Sequence, residues 1–159
     1  VAKRSRRPAR SRRPIRRASP ARGFRYIESS ALLAALLERD SAARKAVRAQ
    51  GGRVTSALTL AEAARAIVRA RVSGRLTPAK ERAAIQALRV FERRCYVVGV
   101  TDSVLARVGQ PFPIEPIRTL DAVHLATAEL LGEPPQLVTI VTRDRRVREN
   151  AEALGYSVE

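Results

Sequence analysis

The stretch LVTIVTRDRRVRENAEAL, residues 137–154, reads as a strand that runs straight into a helix, with the acid Asp144 at the join. Residues 137–142 are apolar or β-branched almost throughout, the composition of a strand buried on both faces. From residue 144 to 154 the polar positions crowd one side, and Gly155 then ends the helix and leads into a short apolar run at 156–158. A strand, a helix and a second strand joined this way predict a parallel sheet with helices packed on it.

The same alternation is legible upstream. Residues 24–27 read as a strand and residues 31–49 as one apolar helix, broken by Gln50-Gly51-Gly52. A second strand is expected at 53–57, then a helix at 60–72 with apolar residues at Leu60, Ala64, Ile67 and Val68 and Gly74 beyond its end. Pro78 suits the first turn of a helix reaching residue 94. Residues 95–100 form the third strand, Thr101-Asp102-Ser103 caps a short helix closed by Gly109, and Thr119 caps another that runs to 131 after the loop QPFPIEPIR. The fold class is therefore α/β, with a parallel sheet covered on both faces.

Four acids stand out in that layout, each placed where a strand-like run gives way to a helical one: Glu28, Glu62, Asp121 and Asp144. In an open α/β sheet such junctions share one edge, the edge at which ligands bind. Each acid also has an ordinary explanation. Glu28 and Asp121 suit helix N-termini, Thr59-Leu60-Ala61-Glu62 has the form of a capping box, and Asp144 has that of an N-cap. These do not explain why all four junctions carry an acid. Converging carboxylates repel one another unless a cation intervenes, and a cluster of hard oxygen donors suits Mg²⁺ or Mn²⁺. Such a centre points to a metal-dependent phosphodiesterase acting on RNA. Thr142 is placed to bond a carboxylate, a metal-bound water or a helix end.

Other chemistries lack parts. His124 is the single histidine and reads as a packed or capping residue, so zinc hydrolase and Ser-His-Asp constellations are incomplete. There is no phosphate-cradling glycine motif. Cys95 is alone in a strand-like run and reads as a small core residue, which excludes an intrachain disulfide and suits a reducing cytoplasm. Asp102 reads as part of a cap. The longest apolar run, residues 31–37, has seven residues and is too short to cross a bilayer, so no membrane association is expected.

The net charge of +16 is uneven: residues 1–25 hold 11 of the 31 Lys/Arg and no acid. Residues 1–24 are rich in Arg and Pro with few apolar side chains and are expected to be a disordered basic tail, with the folded domain at 25–159. Three readings of that tail stand side by side: a nucleic-acid-binding arm, an organelle transit peptide, or the product of a start codon placed too far upstream. The charge favours a polyanionic partner. Arg25, Arg118, Arg143, Arg145 and Arg146 flank the proposed cluster and are candidates to hold RNA phosphates.

These segments resemble the PIN-domain ribonucleases, in particular the VapC-like toxins of bacterial toxin–antitoxin pairs. YIESSALLAALLE (26–38) resembles the opening strand and first acid, with Glu28 where Asp is more usual. SALTLAEAARA (56–66) resembles the second element with Glu62, and RTLDAVHLATA (118–128), the most specific segment, places Asp121 at the third acid. VTIVTRDRRVRENA (138–151) resembles the closing strand and helix, with Thr142 and Asp144 as a Thr-x-Asp pair. The resemblance implies a three-layer α/β/α PIN-like fold and a Mg²⁺/Mn²⁺-dependent endoribonuclease. It further implies a homodimer inhibited by a small antitoxin, and Ser30 as a residue that orients the site. Replacing Glu28 by Asp is expected to keep or raise activity. The alternatives are a non-catalytic PIN-like module that binds RNA or protein, and a DNA-directed nuclease.

Overall fold

The computed structural model describes residues 23–38 and 40–159. Five strands, β1 (Phe24–Ile27), β2 (Gly52–Ser56), β3 (Tyr96–Val98), β4 (Val138–Val141) and β5 (Ser157–Val158), form one sheet in the order β3-β2-β1-β4-β5. All four pairings are parallel. The centre is β1, which sets Phe24 beside Gly52 of β2 and Val138 of β4. The basic tail expected at 1–24 lies outside the described residues except for Gly23 and Phe24. Phe24 is the first residue of β1, as the strand expected at 24–27 requires, and the Gly23 carbonyl accepts from the Gly52 amide at 3.3 Å.

The helices are α1 (Ser29–Leu37), α2 (Ser41–Arg48), α3 (Ala57–Val72), α4 (Pro78–Arg93), α5 (Asp102–Val108), α6 (Thr119–Glu129) and α7 (Arg145–Ala153), with one 3-10 turn at Pro135–Leu137. Alternation along the strands sorts the core into two layers. Tyr26, Val54, Val138 and Ile140 face α5, α6 and α7, together with Val104, Val123 and Val147. Ile27 and Val141 face the other way and pack with Leu32, Val47, Ile67, Leu88 and Phe91 of α1 to α4. The result is the three-layer α/β/α arrangement.

The single helix expected over 31–49 is two helices. Asp40 takes the Ala43 amide on its side chain at 2.8 Å and caps α2, so the chain turns there without a glycine or proline to mark the break. The α6 helix is buried at every position from Ala122 to Ala128. Three alanines in that run, Ala122, Ala126 and Ala128, keep the helix narrow enough to lie between the sheet and its neighbours. Cys95 is partly buried, and burial pushes its thiol up to about 12, which leaves it protonated and unreactive. Thr101 caps α5, with Asp102 exposed in its first turn.

Candidate active site

The C-terminal edge of β1 and β4 carries the most densely bonded side chain in the molecule. Glu28 follows β1 and is the N-cap of α1, accepting the Ser30 amide at 3.0 Å. It is buried, and hydroxyls surround its carboxylate: Ser29 Oγ donates to Oε1 at 2.6 Å, Thr142 Oγ1 donates to Oε2 at 2.9 Å, and Ser30 Oγ donates to Oε2 as well. Ser30 and Thr142 touch each other, with their oxygens 3.2 Å apart. Their oxygens also accept the amides of Arg143 (2.7 Å) and Asp144 (3.0 Å) respectively, which ties the end of β4 to the start of α1. Ser30 and Thr142 therefore sit where an orienting role would need them.

Glu62 reaches the same place by a different route from the one expected. The cap of α3 is Ser56, whose Oγ accepts the Leu58 amide at 3.2 Å, and Thr59 lies inside the first turn with its Oγ1 buried and without a partner. The capping box is thus absent. Glu62 stands in the second turn, too far along the helix to reach back to unpaired amides, and its Oε2 is 2.9 Å from His124 Nε2. Burial works to raise its pKa, but the hydrogen bond from His124, helped by Ser29 and Arg69, outweighs it and holds Glu62 below the usual carboxylate range.

Asp121 and His124 come from α6. This helix follows the loop after α5 and not a strand, so the expected strand–helix junction is absent at Asp121. Its N-cap is Arg118, which makes no side-chain cap bond, and Thr119 is the first helical residue in place of the expected cap. Asp121 Oδ2 is buried with no hydrogen-bond partner. Burial raises its pKa, the negative charges of Asp144 and Glu28 raise it further, and Arg118 opposes them. Asp144 is the N-cap of α7, accepting the Arg146 and Val147 amides on Oδ1 at 2.8 and 3.3 Å. Its capping role is realised, and its charge also bears on Asp121.

The four acids therefore share one neighbourhood, though only Glu28 and Asp144 stand at strand–helix junctions. Sequence reasoning passed over two neighbours. His124 is buried, with Nε2 3.6 Å from Glu28 Oε1 as well as bonded to Glu62, and Nδ1 3.1 Å from the Tyr26 hydroxyl. Their spacing carried a signal: His124 is three residues from Asp121 on one helix, and Tyr26 is two residues before Glu28 along a strand.

The arginines divide. Arg25 does not flank the cluster: it is buried, with Nε on the Ala46 carbonyl at 3.2 Å and its guanidinium paired to Glu159. Alternation along β1 turns it onto the face opposite Tyr26, under α2. Arg143 pairs with Asp40 at 3.0 Å and Arg145 with Glu149 at 2.9 Å, both on the surface. Arg118 is exposed at the head of α6 and acts on the charge of Asp121. Arg146 stands in the first turn of α7 beside Asp144.

The family model of the PIN domain matches residues 25–153. The chain belongs to the PIN domain family. Among curated proteins, this PIN domain is 38% identical over 135 residues to "Ribonuclease VapC46" of Mycobacterium tuberculosis, covering 84% of this chain and 94% of that one. It is 40% identical over 105 residues to "Ribonuclease VapC35" of the same organism, covering 66% and 70%. Its fold is similar to a chain of VapBC2 from Rickettsia felis, solved bound to a DNA fragment from their promoter (TM-score 0.59, 13% identity, 86% of this chain and 97% of that one). It is also similar to a chain of VapBC-1 from nontypeable Haemophilus influenzae (TM-score 0.54, 13% identity, 86% and 96%).

The PIN domain's donor set suits a divalent cation. Glu28, Glu62 and His124 bring potential ligand atoms within 4.8 Å of one another, and Asp121 adds a buried carboxylate oxygen that no protein donor satisfies. Among the described residues no helix is long and apolar enough to cross a membrane.

Proposed function

We propose that this PIN domain is a metal-dependent endoribonuclease that hydrolyses RNA phosphodiester bonds, the toxin of a type II toxin–antitoxin pair. The observation that carries the reading is the buried, unpartnered Oδ2 of Asp121 beside Glu28 and Asp144, since a buried carboxylate oxygen with no donor, set among further carboxylates, is stabilised by a cation between them. The names of the curated relatives, both ribonucleases, support the same reaction class.

Glu28, Glu62, Asp121 and Asp144 would hold Mg²⁺ or Mn²⁺, hard cations that favour carboxylate oxygens. When bound, the cation supplies neutralisation of phosphoryl charge and activation of water. The chain's own residues prepare the site for it. Ser29, Ser30 and Thr142 hold the Glu28 carboxylate in one orientation, so little reorganisation is needed on binding. Asp144 keeps its Oδ1 on the α7 amides, fixing the position of the whole carboxylate. Arg118 at the head of α6 and Arg146 in the first turn of α7 would hold substrate phosphates, with Arg143 and Arg145, paired to Asp40 and Glu149, as further candidates. The solved VapBC structures that share this fold support a small antitoxin as a partner, and a homodimer as the working form is proposed on the family resemblance alone.

The test is incubation of the purified chain with a structured RNA pool and matched DNA strands, with Mg²⁺ or Mn²⁺, with EDTA, and with Asp121→Asn. Discrete RNA cleavage lost to both EDTA and the variant is the expected result. Cleavage of the DNA alone would transfer the chemistry to the other nucleic acid, and full activity in Asp121→Asn would sink the metal centre.

A further inference from the structure

His124 takes part in the carboxylate cluster without an evident task in phosphodiester hydrolysis. It has two possible relations to a cation there. Its Nε2 lies close enough to Glu28 and Glu62 to join them as a ligand, or it serves them as a donor. The hydrogen bonds decide between these. A neutral imidazole carries one hydrogen, and its partners fix which nitrogen bears it. An ionised carboxylate only accepts, so the 2.9 Å contact to Glu62 Oε2 requires a hydrogen on Nε2. The Nδ1 atom must then accept, and the group facing it at 3.1 Å is the Tyr26 hydroxyl, a donor. A phenol keeps its hydrogen at neutral pH, so the Tyr26 hydroxyl can donate to Nδ1. An Nε2 that carries a hydrogen has no lone pair to offer.

We propose that His124 is a positioning residue and not a metal ligand: Tyr26 locks the ring as the Nε2–H form, and that N–H holds Glu62 by one carboxylate oxygen, leaving its second oxygen for the cation. The proposal rests on the nuclease reading and adds to it a selectivity, because a donor set reduced to carboxylates favours Mg²⁺ or Mn²⁺ over zinc. Outer partners of this kind are usually a ligating histidine's carboxylate; here the order is reversed, with histidine orienting the ligating acid.

His124 is the chain's one histidine, so selective ¹⁵N-histidine labelling of the full chain gives a single pair of ring signals. The expected spectrum has hydrogen on Nε2 and a bare Nδ1, unchanged by saturating Mg²⁺. Hydrogen on Nδ1, on both nitrogens, or lost from Nε2 when Mg²⁺ is added would overturn the proposal. Calorimetric Mn²⁺ titration supplies the second readout. His124→Leu is expected to weaken Mn²⁺ binding by about 10- to 100-fold. His124→Gln restores most of that loss, because its amide N–H can reach Glu62. Tyr26→Phe weakens binding less and leaves both ring forms populated. Wild-type Mn²⁺ affinity in a folded His124→Leu, or a His124→Gln as weak as the leucine variant, would also overturn it. Should the leucine variant not fold, the wild-type ring signals decide alone. The two readings fail separately: Mn²⁺ binding without RNA cleavage removes the nuclease and not the relay, and an unaffected His124→Leu removes the relay and not the nuclease.

Discussion

Asp121 is the residue at which stability and function pull apart most clearly. Its folded pKa is raised by burial and by its acidic neighbours, so between its ordinary value and the raised one the native state binds more protons than the unfolded chain. Stability of the cation-free protein should therefore fall as pH rises through that window. Asp121→Asn should flatten the fall and raise the melting temperature above it by about 3 °C, for a gain of about 1 kcal/mol, while abolishing Mn²⁺-dependent cleavage. Thermal scans of both proteins across pH, with and without Mn²⁺, check this. At Glu28 the hydroxyl clamp argues for a different expectation from the one the sequence suggests. Its carboxylate is reached by donors from Ser29, Ser30 and Thr142, and shortening the side chain by about one C–C bond draws it away from Thr142. Where the sequence suggests activity kept or raised, the clamp predicts that Glu28→Asp lowers kcat about tenfold and weakens Mn²⁺ binding, leaving the fold intact. The acid at each position was legible in the sequence. The hydroxyl clamp was not, because Thr142 is 114 residues from Glu28 and no local pattern links them.

Elements were legible where their ends carry recognisable chemistry. Pro78 marks the start of α4 and Gly155 follows α7, and both helices lie where composition places them. The α1–α2 break was illegible because Asp40 makes it by capping α2 inside an otherwise helix-favouring run. The α3 start was misplaced because Thr59 offered a better-known motif than Ser56, yet the chain leaves β2 at once and the first available hydroxyl takes the cap. This correction has a direct check by chemical denaturation. Ser56→Ala should cost about 1 kcal/mol through loss of the cap. Thr59→Val should cost nothing or stabilise slightly, since the hydroxyl it removes is buried without a partner. The α6 helix shows the limit of reading junctions: it brings Asp121 to the cluster from a loop, so a strand–helix junction does not account for the place of that acid.

Across the whole molecule, charge and topology set separate expectations. All the proposed carboxylates lie between residues 28 and 144, so a chain that starts at Gly23 should keep cleavage, and the comparison of its salt dependence with the full chain counts the phosphates that residues 1–22 neutralise. Arg118→Ala and Arg146→Ala should each reduce the slope of log affinity against log salt by about one. Arg25→Met should leave that slope unchanged and lower the melting temperature, because its guanidinium serves Glu159 and the Ala46 carbonyl inside the fold. The sheet order has one further consequence. The strand that completes the centre, β4, pairs with β1, although more than a hundred residues separate them in the chain. During translation Glu28 and Glu62 leave the ribosome early, without Thr142 or Asp144 to join them. A growing chain therefore lacks part of the carboxylate cluster until α7 has begun to emerge, and the proposed cleavage should not begin before that point of synthesis.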